Sequence, residues 1–357
     1  MIPVTKPFLP PSEEYQEYLN EIWKRGILTN NGPLVKRLEA ELKVYLSSPD
    51  LLYVSNGTIA LQIAIKALGL EGEIITTPFS YVATTSSIVW EGCKPIFVDI
   101  DPETLNIDPN LIESAITKKT SAILATHVFG NPCDIDAIQS IADRYNLKVI
   151  YDAAHCFGTR YKGESVFAYG DVSTASFHAT KLFHTIEGGA VFTNNSDLLN
   201  RIKFMRNFGH DGPGKFNGVG INGKNSEFHA AMGLVNLKHI NNILKVRKEQ
   251  SSYYYNNLKS SSIKLLKISD WESWNHSYMP VLFGSENSLK SVKKALEEQD
   301  VFPRRYFYPS LNRLEYVRNG SFTFADKASS TILCLPLYHN LMPYEQEKIV
   351  SIVKSNL

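Results

Sequence analysis

Residues 174–190 read TASFHATKLFHTIEGGA, and Lys181 stands in the middle of this nearly uncharged stretch. A lone lysine after a strand is ordinarily a solvated surface charge. Here Ser176 and Thr180 supply hydroxyls close by, and Gly188-Gly189 let backbone approach closely. An amine in a small, partly desolvated pocket loses its proton readily, and the neutral form can make a Schiff base with an aldehyde.

Two other stretches add chemistry. Ser55-Asn56-Gly57-Thr58 lies where the apolar run LLYV ends and IALQIAIKAL begins with helical spacing. The first N–H groups of such a helix suit a phosphate, and Thr58 adds a hydroxyl. Read alone, the same residues also make an ordinary N-cap. Asp152 closes KVIYD and precedes AAHCFG. A carboxylate there can accept a hydrogen bond from a protonated ring nitrogen, or serve only as a turn residue. The string from Asp152 to His155 and Cys156 matches no standard zinc spacing, so a metal is not expected. A phosphate cradle, an acid for a ring nitrogen and an amine for an aldehyde are together what pyridoxal 5'-phosphate requires.

These positions need a frame. Strand-like EIITT, PIFVDI, SAILATHV, KVIYDA, TASF and GAVFTN alternate with helical patterns at 81–91, 108–117 and DIDAIQSIADRYN. That alternation predicts a mostly parallel sheet covered on both faces. In such a sheet ligands gather at the carboxyl ends of the strands. With helical patterns at 12–24 and 34–46, a large α/β domain is expected over 12–238. From about 240 the texture changes. A long polar helix, NILKVRKEQSSYYYNNLK, leads to the strand SYMPVLF and the helices SLKSVKKALEEQ and YEQEKIVSIVKSNL. A smaller α+β domain is expected over 239–357, with segment 1–11 packed near it. The serine run near 259–262 reads as a loop.

The bulk numbers set bounds. The chain has 357 residues, 43% hydrophobic and 20% charged, an ordinary globular composition with room for one large and one small domain. A net charge of +1 gives no broad field to attract nucleic acid or an anionic membrane. Cys93, Cys133, Cys156 and Cys334 form no CxxC pair, the N-terminus lacks an apolar leader core, and no stretch reaches the roughly 18 apolar residues of a membrane span. A cytoplasmic protein is expected, with neither nucleic acid nor membrane as partner. A transcriptional regulator would need a helix-turn-helix and a basic face, and neither is visible.

The chain carries IPVTKPFLP, GILTNNGP, SNGTIALQIAI, TTPFSYVATTSSI, FVDIDPETLNID, THVFGNPCDID, VIYDAAHCFGTRYKG, SFHATKLFHTIEGGAVFTNN, NGVGINGKNSEFHAAMGL and RRYFYPSL. With these motifs it resembles the DegT/DnrJ/EryC1/StrS sugar aminotransferases over nearly its whole length. The resemblance implies the aspartate-aminotransferase fold (fold type I): a mostly parallel sheet of the seven-stranded type with a smaller α+β C-terminal domain. It implies that Lys181 forms the Schiff base with pyridoxal phosphate and later moves the proton, while Asp152 faces the pyridine nitrogen. Gly57, Thr58 and Ser176 match phosphate-binding positions. Tyr81 matches an aromatic that stacks on the ring, and His155 a residue near the ring's phenolic oxygen. Asn222 matches the residue that reaches the neighbouring subunit's phosphate, so a homodimer with shared sites is implied. Lys224, Arg305, Tyr306 and Tyr308 are implied at the sugar or diphosphate site.

The implied reaction moves an amino group from L-glutamate, through pyridoxamine phosphate, to a nucleotide-linked keto sugar. SFHATK with Glu-Gly-Gly resembles the 4-amino branch, so dTDP-4-keto-6-deoxy-D-glucose is the expected acceptor and dTDP-4-amino-4,6-dideoxyglucose the product. A 3-keto sugar is the alternative within the family, and a non-catalytic regulator that binds the cofactor is the alternative outside it. Family dehydratases carry histidine in place of the lysine. O-antigen and lipopolysaccharide synthesis are common settings. Three positions depart from the family pattern: Ile186 where glycine is frequent, Asn225 where methionine is usual, and Asn312 where many relatives have histidine.

Overall fold

The seven apolar runs form one sheet in this computed structural model, which describes residues 1–357 except 260, 261, 269–271 and 319. Ser260 and Ser261 of the expected serine loop lie outside the described residues. The strands are β1 (Asp50–Val54), β2 (Glu73–Thr76), β3 (Lys94–Phe97), β4 (Thr120–Thr126), β5 (Lys148–Asp152), β6 (Val172–Ser176) and β7 (Gly189–Thr193). Their spatial order is β1-β7-β6-β5-β4-β2-β3. β7 is antiparallel to both neighbours and every other pair is parallel.

The inner strands carry buried apolar residues towards both faces because both faces are covered. Ile123, Ala125, Val149 and Tyr151 pack on one side with Leu34, Leu38, Ile138 and Leu234. Leu124 and Ile150 pack on the other with Leu61, Ile63 and Ala64 of the helix Gly57–Ala67. Burying one such aliphatic side chain contributes about 1.5–3 kcal/mol. Register then brings the functional ends level: Thr126 lies opposite Asp152, Asp152 opposite Thr174, Ser176 opposite Gly189, and Gly189 opposite Val54.

The long helix runs over Glu227–Asn257, beginning well before the expected Asn242. Its first half is buried at Ala230, Ala231, Leu234 and Val235, so it lacks the polar face that marks the second half. Gly233 is needed within it, since a Cβ would stand 2.7 Å from Thr185 Cγ2 and 3.0 Å from Leu38. The expected boundary at 238/239 falls inside this continuous helix. Its first residue also has a remote role. The buried Glu227 carboxylate accepts the N–H groups of Leu34 and Val35, each at 2.9 Å, at the start of the helix Pro33–Leu46.

Beyond the long helix, Ile263–Leu265, Met279–Phe283 and Ile332–Leu335 form an antiparallel sheet. The helices Glu286–Glu297 and Pro343–Ser355 contribute Leu289, Val292, Ile349 and Val353 to its core. Ile2–Pro3 pairs in parallel with Val301–Phe302, and Ile2 enters that core. Among the described residues no helix is long and apolar enough to cross a membrane.

Candidate active site

The strand ends surround a cavity of about 520 Å³. Gly57, Thr58, Tyr81, Asp152, His155, Ser176, Lys181 and Tyr306 all line it. Gly57 and Lys181, more than one hundred positions apart, therefore meet because the strands before them finish at one edge of the sheet.

One end of the cavity is built for an anion. Asn56 accepts the Ile59 N–H with its side chain at 2.8 Å, capping the helix Gly57–Ala67. The Gly57 and Thr58 N–H groups, at the first two helical positions, have no intrahelical acceptor and carry the positive end of the helix dipole. A Cβ on Gly57 would lie 2.9 Å from that of Ser176, so glycine alone lets the helix start meet the end of β6. Gly189 serves the same junction: its Cβ would stand 2.6 Å from the Asn56 carbonyl. The N–H pair, the Thr58 hydroxyl and the Ser176 hydroxyl together suit a phosphate.

Asp152 sits deeper and is buried. Its Oδ2 accepts the Thr84 hydroxyl at 2.7 Å and its Oδ1 the Ala154 N–H at 3.2 Å. Burial pushes its carboxyl pKa up, while the bonds from Thr84 and Ala154 and the charge of Lys181 oppose that rise. A protonated ring nitrogen in the cavity would give this carboxylate the positive partner that it lacks.

His155 is held by aromatic planes. Phe129 and Phe307 lie nearly parallel to its ring, at 6.2 and 5.8 Å. Burial, and secondarily the Lys181 charge, keeps its pKa well below the ordinary value. Nδ1 accepts the Phe129 N–H at 3.2 Å. The neutral ring therefore carries its hydrogen on Nε2 and is a donor there.

Lys181 follows a tight turn in which its own N–H donates to the His178 carbonyl at 2.8 Å. The Thr185 N–H returns to the Phe177 carbonyl at 2.9 Å and closes the loop. Among the described residues the Lys181 amine has neither an ion-pair nor a hydrogen-bond partner. A larger cleft of about 690 Å³ holds Lys148, but Asp171 pairs with that amine at 2.8 Å. The free amine, the buried carboxylate, the neutral histidine donor and the anion cradle fit pyridoxal 5'-phosphate in size and polarity.

Four expected residues lie outside the cavity wall. Lys224 donates to Asn207 Oδ1 at 2.7 Å, and Asn222 is exposed on the same segment. Arg305 turns to the Ser330 carbonyl and to Glu286, each at 3.1 Å, and its guanidinium covers the exposed Tyr308 ring at 3.5 Å. Arg304 lines the cavity instead, beside Tyr306. The sequence reading missed it, along with Ser80, Thr84 and Thr126. Helical spacing offered a signal for Thr84, which lies three residues after Tyr81 and one turn further along.

Of the three departures, Ile186 adopts φ 67°, a left-handed conformation costly for a β-branched residue and natural for glycine. Asn225 donates to the Tyr53 hydroxyl at 3.0 Å and the Glu187 carbonyl at 2.8 Å. Asn312 is buried and donates to the Gly320 carbonyl at 3.4 Å.

Known proteins share this sequence and shape. A dTDP-4-amino-4,6-dideoxy-D-glucose transaminase of Shigella dysenteriae is 45% identical, covering 98% of each chain. The Escherichia coli protein of the same name is 40% identical over 99% of this chain and 97% of its own. The crystal structure of DesI in the presence of its TDP-sugar product superposes with a TM-score of 0.94 at 30% identity, covering 99% of this chain and 92% of DesI. The model of the DegT/DnrJ/EryC1/StrS aminotransferase family matches residues 11–354, and the chain belongs to that family.

Proposed function

We propose that this protein moves the amino group of L-glutamate to C4 of dTDP-4-keto-6-deoxy-D-glucose, giving dTDP-4-amino-4,6-dideoxyglucose, with pyridoxal 5'-phosphate as cofactor. One observation carries the chemistry: the unpaired Lys181 amine and the buried Asp152 carboxylate share a cavity with a helix N-terminus. The names of the two curated relatives support the choice of sugar.

When bound, pyridoxal phosphate supplies an aldehyde for the amine and a ring that accepts electrons as a carbon–hydrogen bond breaks. Gly57, Thr58 and Ser176 would hold its phosphate. Asp152 would keep a proton on the ring nitrogen, and the His155 Nε2–H would be the donor for the ring's phenolic oxygen. Lys181 would hold the aldehyde between turnovers. Its amine would also be the group in the cavity placed to take a proton from the donor's Cα and to return it, as general base and then acid. Tyr81 and Tyr306, with ring centres 6.1 Å apart, wall the site and limit water. A second copy of the chain would complete the site, because Asn222 is exposed and lies outside the wall of its own cavity.

Visible spectra test this reading. Wild type loaded with pyridoxal phosphate should show an absorption band that glutamate bleaches and dTDP-4-keto-6-deoxyglucose restores. Lys181→Ala should lack that cycle. Restoration by the 3-keto isomer alone would overturn the assigned carbon. A band that glutamate leaves unchanged would favour the regulatory reading.

A further inference from the structure

Beside Asp152 runs a row of three hydroxyls, two of them from residues of the cavity wall, that the reaction above does not use. Thr84 donates to Asp152 Oδ2 at 2.7 Å. Ser80 Oγ lies 2.7 Å from Thr84 Oγ1, and Thr126 Oγ1 lies 3.0 Å from Ser80 Oγ. All three residues are buried, and they come from different elements. Ser80 is in the loop after β2, Thr84 in the first turn of the helix Val82–Trp90, and Thr126 ends β4 opposite Asp152.

Hydrogen counting fixes the direction of this row. An ionised carboxylate only accepts, so Thr84 commits its single hydrogen to Asp152. The Ser80–Thr84 contact must then be donated by Ser80. That leaves Ser80 no hydrogen for Thr126, so Thr126 donates the last contact. Three hydrogens fill three contacts, all pointing towards the carboxylate. If Asp152 takes a proton on Oδ2, the row must reverse, and the Thr126 hydrogen is left without an acceptor among the described residues. The arrangement therefore favours the ionised form, against the burial that pushes the Asp152 carboxyl up. Hydrogen bonds in series also polarise one another, so the far hydroxyls strengthen the near one.

We infer that Thr84, Ser80 and Thr126 are positioning residues, a one-way chain of donors that holds Asp152 as a carboxylate aimed at the cofactor's ring nitrogen. The inference rests on the cavity taking pyridoxal phosphate. Removing a donor makes Asp152 a stronger base, so it competes for the proton on the ring nitrogen and the nitrogen carries less of it at a given pH.

The test uses holoenzyme loaded with pyridoxal phosphate carrying ¹⁵N in the ring. The ring-nitrogen shift is followed by NMR as pH rises, with Asp152→Asn as the reference for lost protonation. Thr84→Val should lower the midpoint by about one pH unit, a tenfold change in the proton equilibrium. Thr84→Ser should restore it. Thr126→Val, which leaves the direct bond in place, should shift it the same way by about twofold in that equilibrium. A wild-type midpoint in Thr84→Val sinks the inference. If that variant does not fold, an unchanged midpoint in Thr126→Val does the same. Failure of wild type to take up the cofactor would overturn the functional reading as well, whereas a loaded wild type with unaltered variants removes this inference alone.

Discussion

The Arg304 N–H donates to the Cys334 carbonyl at 3.1 Å, and the Cys334 N–H returns to the Arg304 carbonyl at 2.8 Å. Paired in this way the backbone is extended, and successive side chains leave on opposite sides. Arg304 thus takes the cavity side and Arg305 the other, and Tyr306, in the turn that follows, also lines the cavity. Arg304 has no ion-pair partner among the described residues, so its charge is available to a substrate anion, a carboxylate or a diphosphate. Arg304→Ala should lower kcat/KM about ten- to a hundredfold, with most of the loss in KM, as expected for one charge-assisted bond. Arg305→Ala should leave kcat/KM within about twofold and cost about 1 kcal/mol of stability. Steady-state kinetics and denaturation of both variants check this, and the reverse assignment of effects would refute it. Lys181, Asp152 and Gly57-Thr58 were legible because each lies at the end of a strand-like run or a few residues beyond it. The two arginines were not separable by eye, because the pairing that orients them comes from Cys334, far along the chain.

Gly32 precedes the helix Pro33–Leu46 and brings no side chain to cap it. A Cβ at Gly32 would lie 2.6 Å from the Glu227 carboxyl carbon, so the glycine makes room for a cap supplied by another element. The carboxylate satisfies two N–H groups and faces the positive end of the helix dipole. Glu227→Gln keeps one acceptor and removes the charge, and should cost about 1–2 kcal/mol. Glu227→Ala strands both donors in a buried setting and should cost more. Urea midpoints would show the graded loss. Equal stability of wild type and Glu227→Gln would mean that the charge has no part in the capping. No sequence pattern announces this contact, because its partners are distant in the chain. The strands, by contrast, were readable from their continuous apolar runs. The buried half of the long helix was hidden for a related reason: a helix covered on most sides shows no amphipathic period, and Gly233 further masks it.

At the scale of the whole molecule the cavity is unevenly provided with charge. The helix start in its wall offers two N–H groups and hydroxyls, and among the described lining residues the arginine and lysine are Arg304 and Lys181 alone. The segment that follows the helix Ser196–Met205 holds Asn222 in the open, flanked by exposed Phe208, Phe216, Val219 and Ile221. Large apolar side chains gathered on one exposed segment mark a surface made for contact. A two-fold pairing of copies would bury these side chains and carry each Asn222 to the partner's cavity. Mixing two defective chains tests this directly. Lys181→Ala lacks the amine. Asn222→Asp sets a negative charge against the phosphate and should reduce activity strongly by like-charge repulsion. In a mixed pair, the Asn222→Asp chain supplies an intact Lys181 site and the Lys181→Ala chain supplies an intact Asn222 to it. Equal mixing after dissociation and reassociation should therefore restore activity to about a quarter of the wild-type sites, since half the pairs are mixed and each has one good site. If Asn222 served its own chain, or if the chain worked alone, mixing would restore nothing.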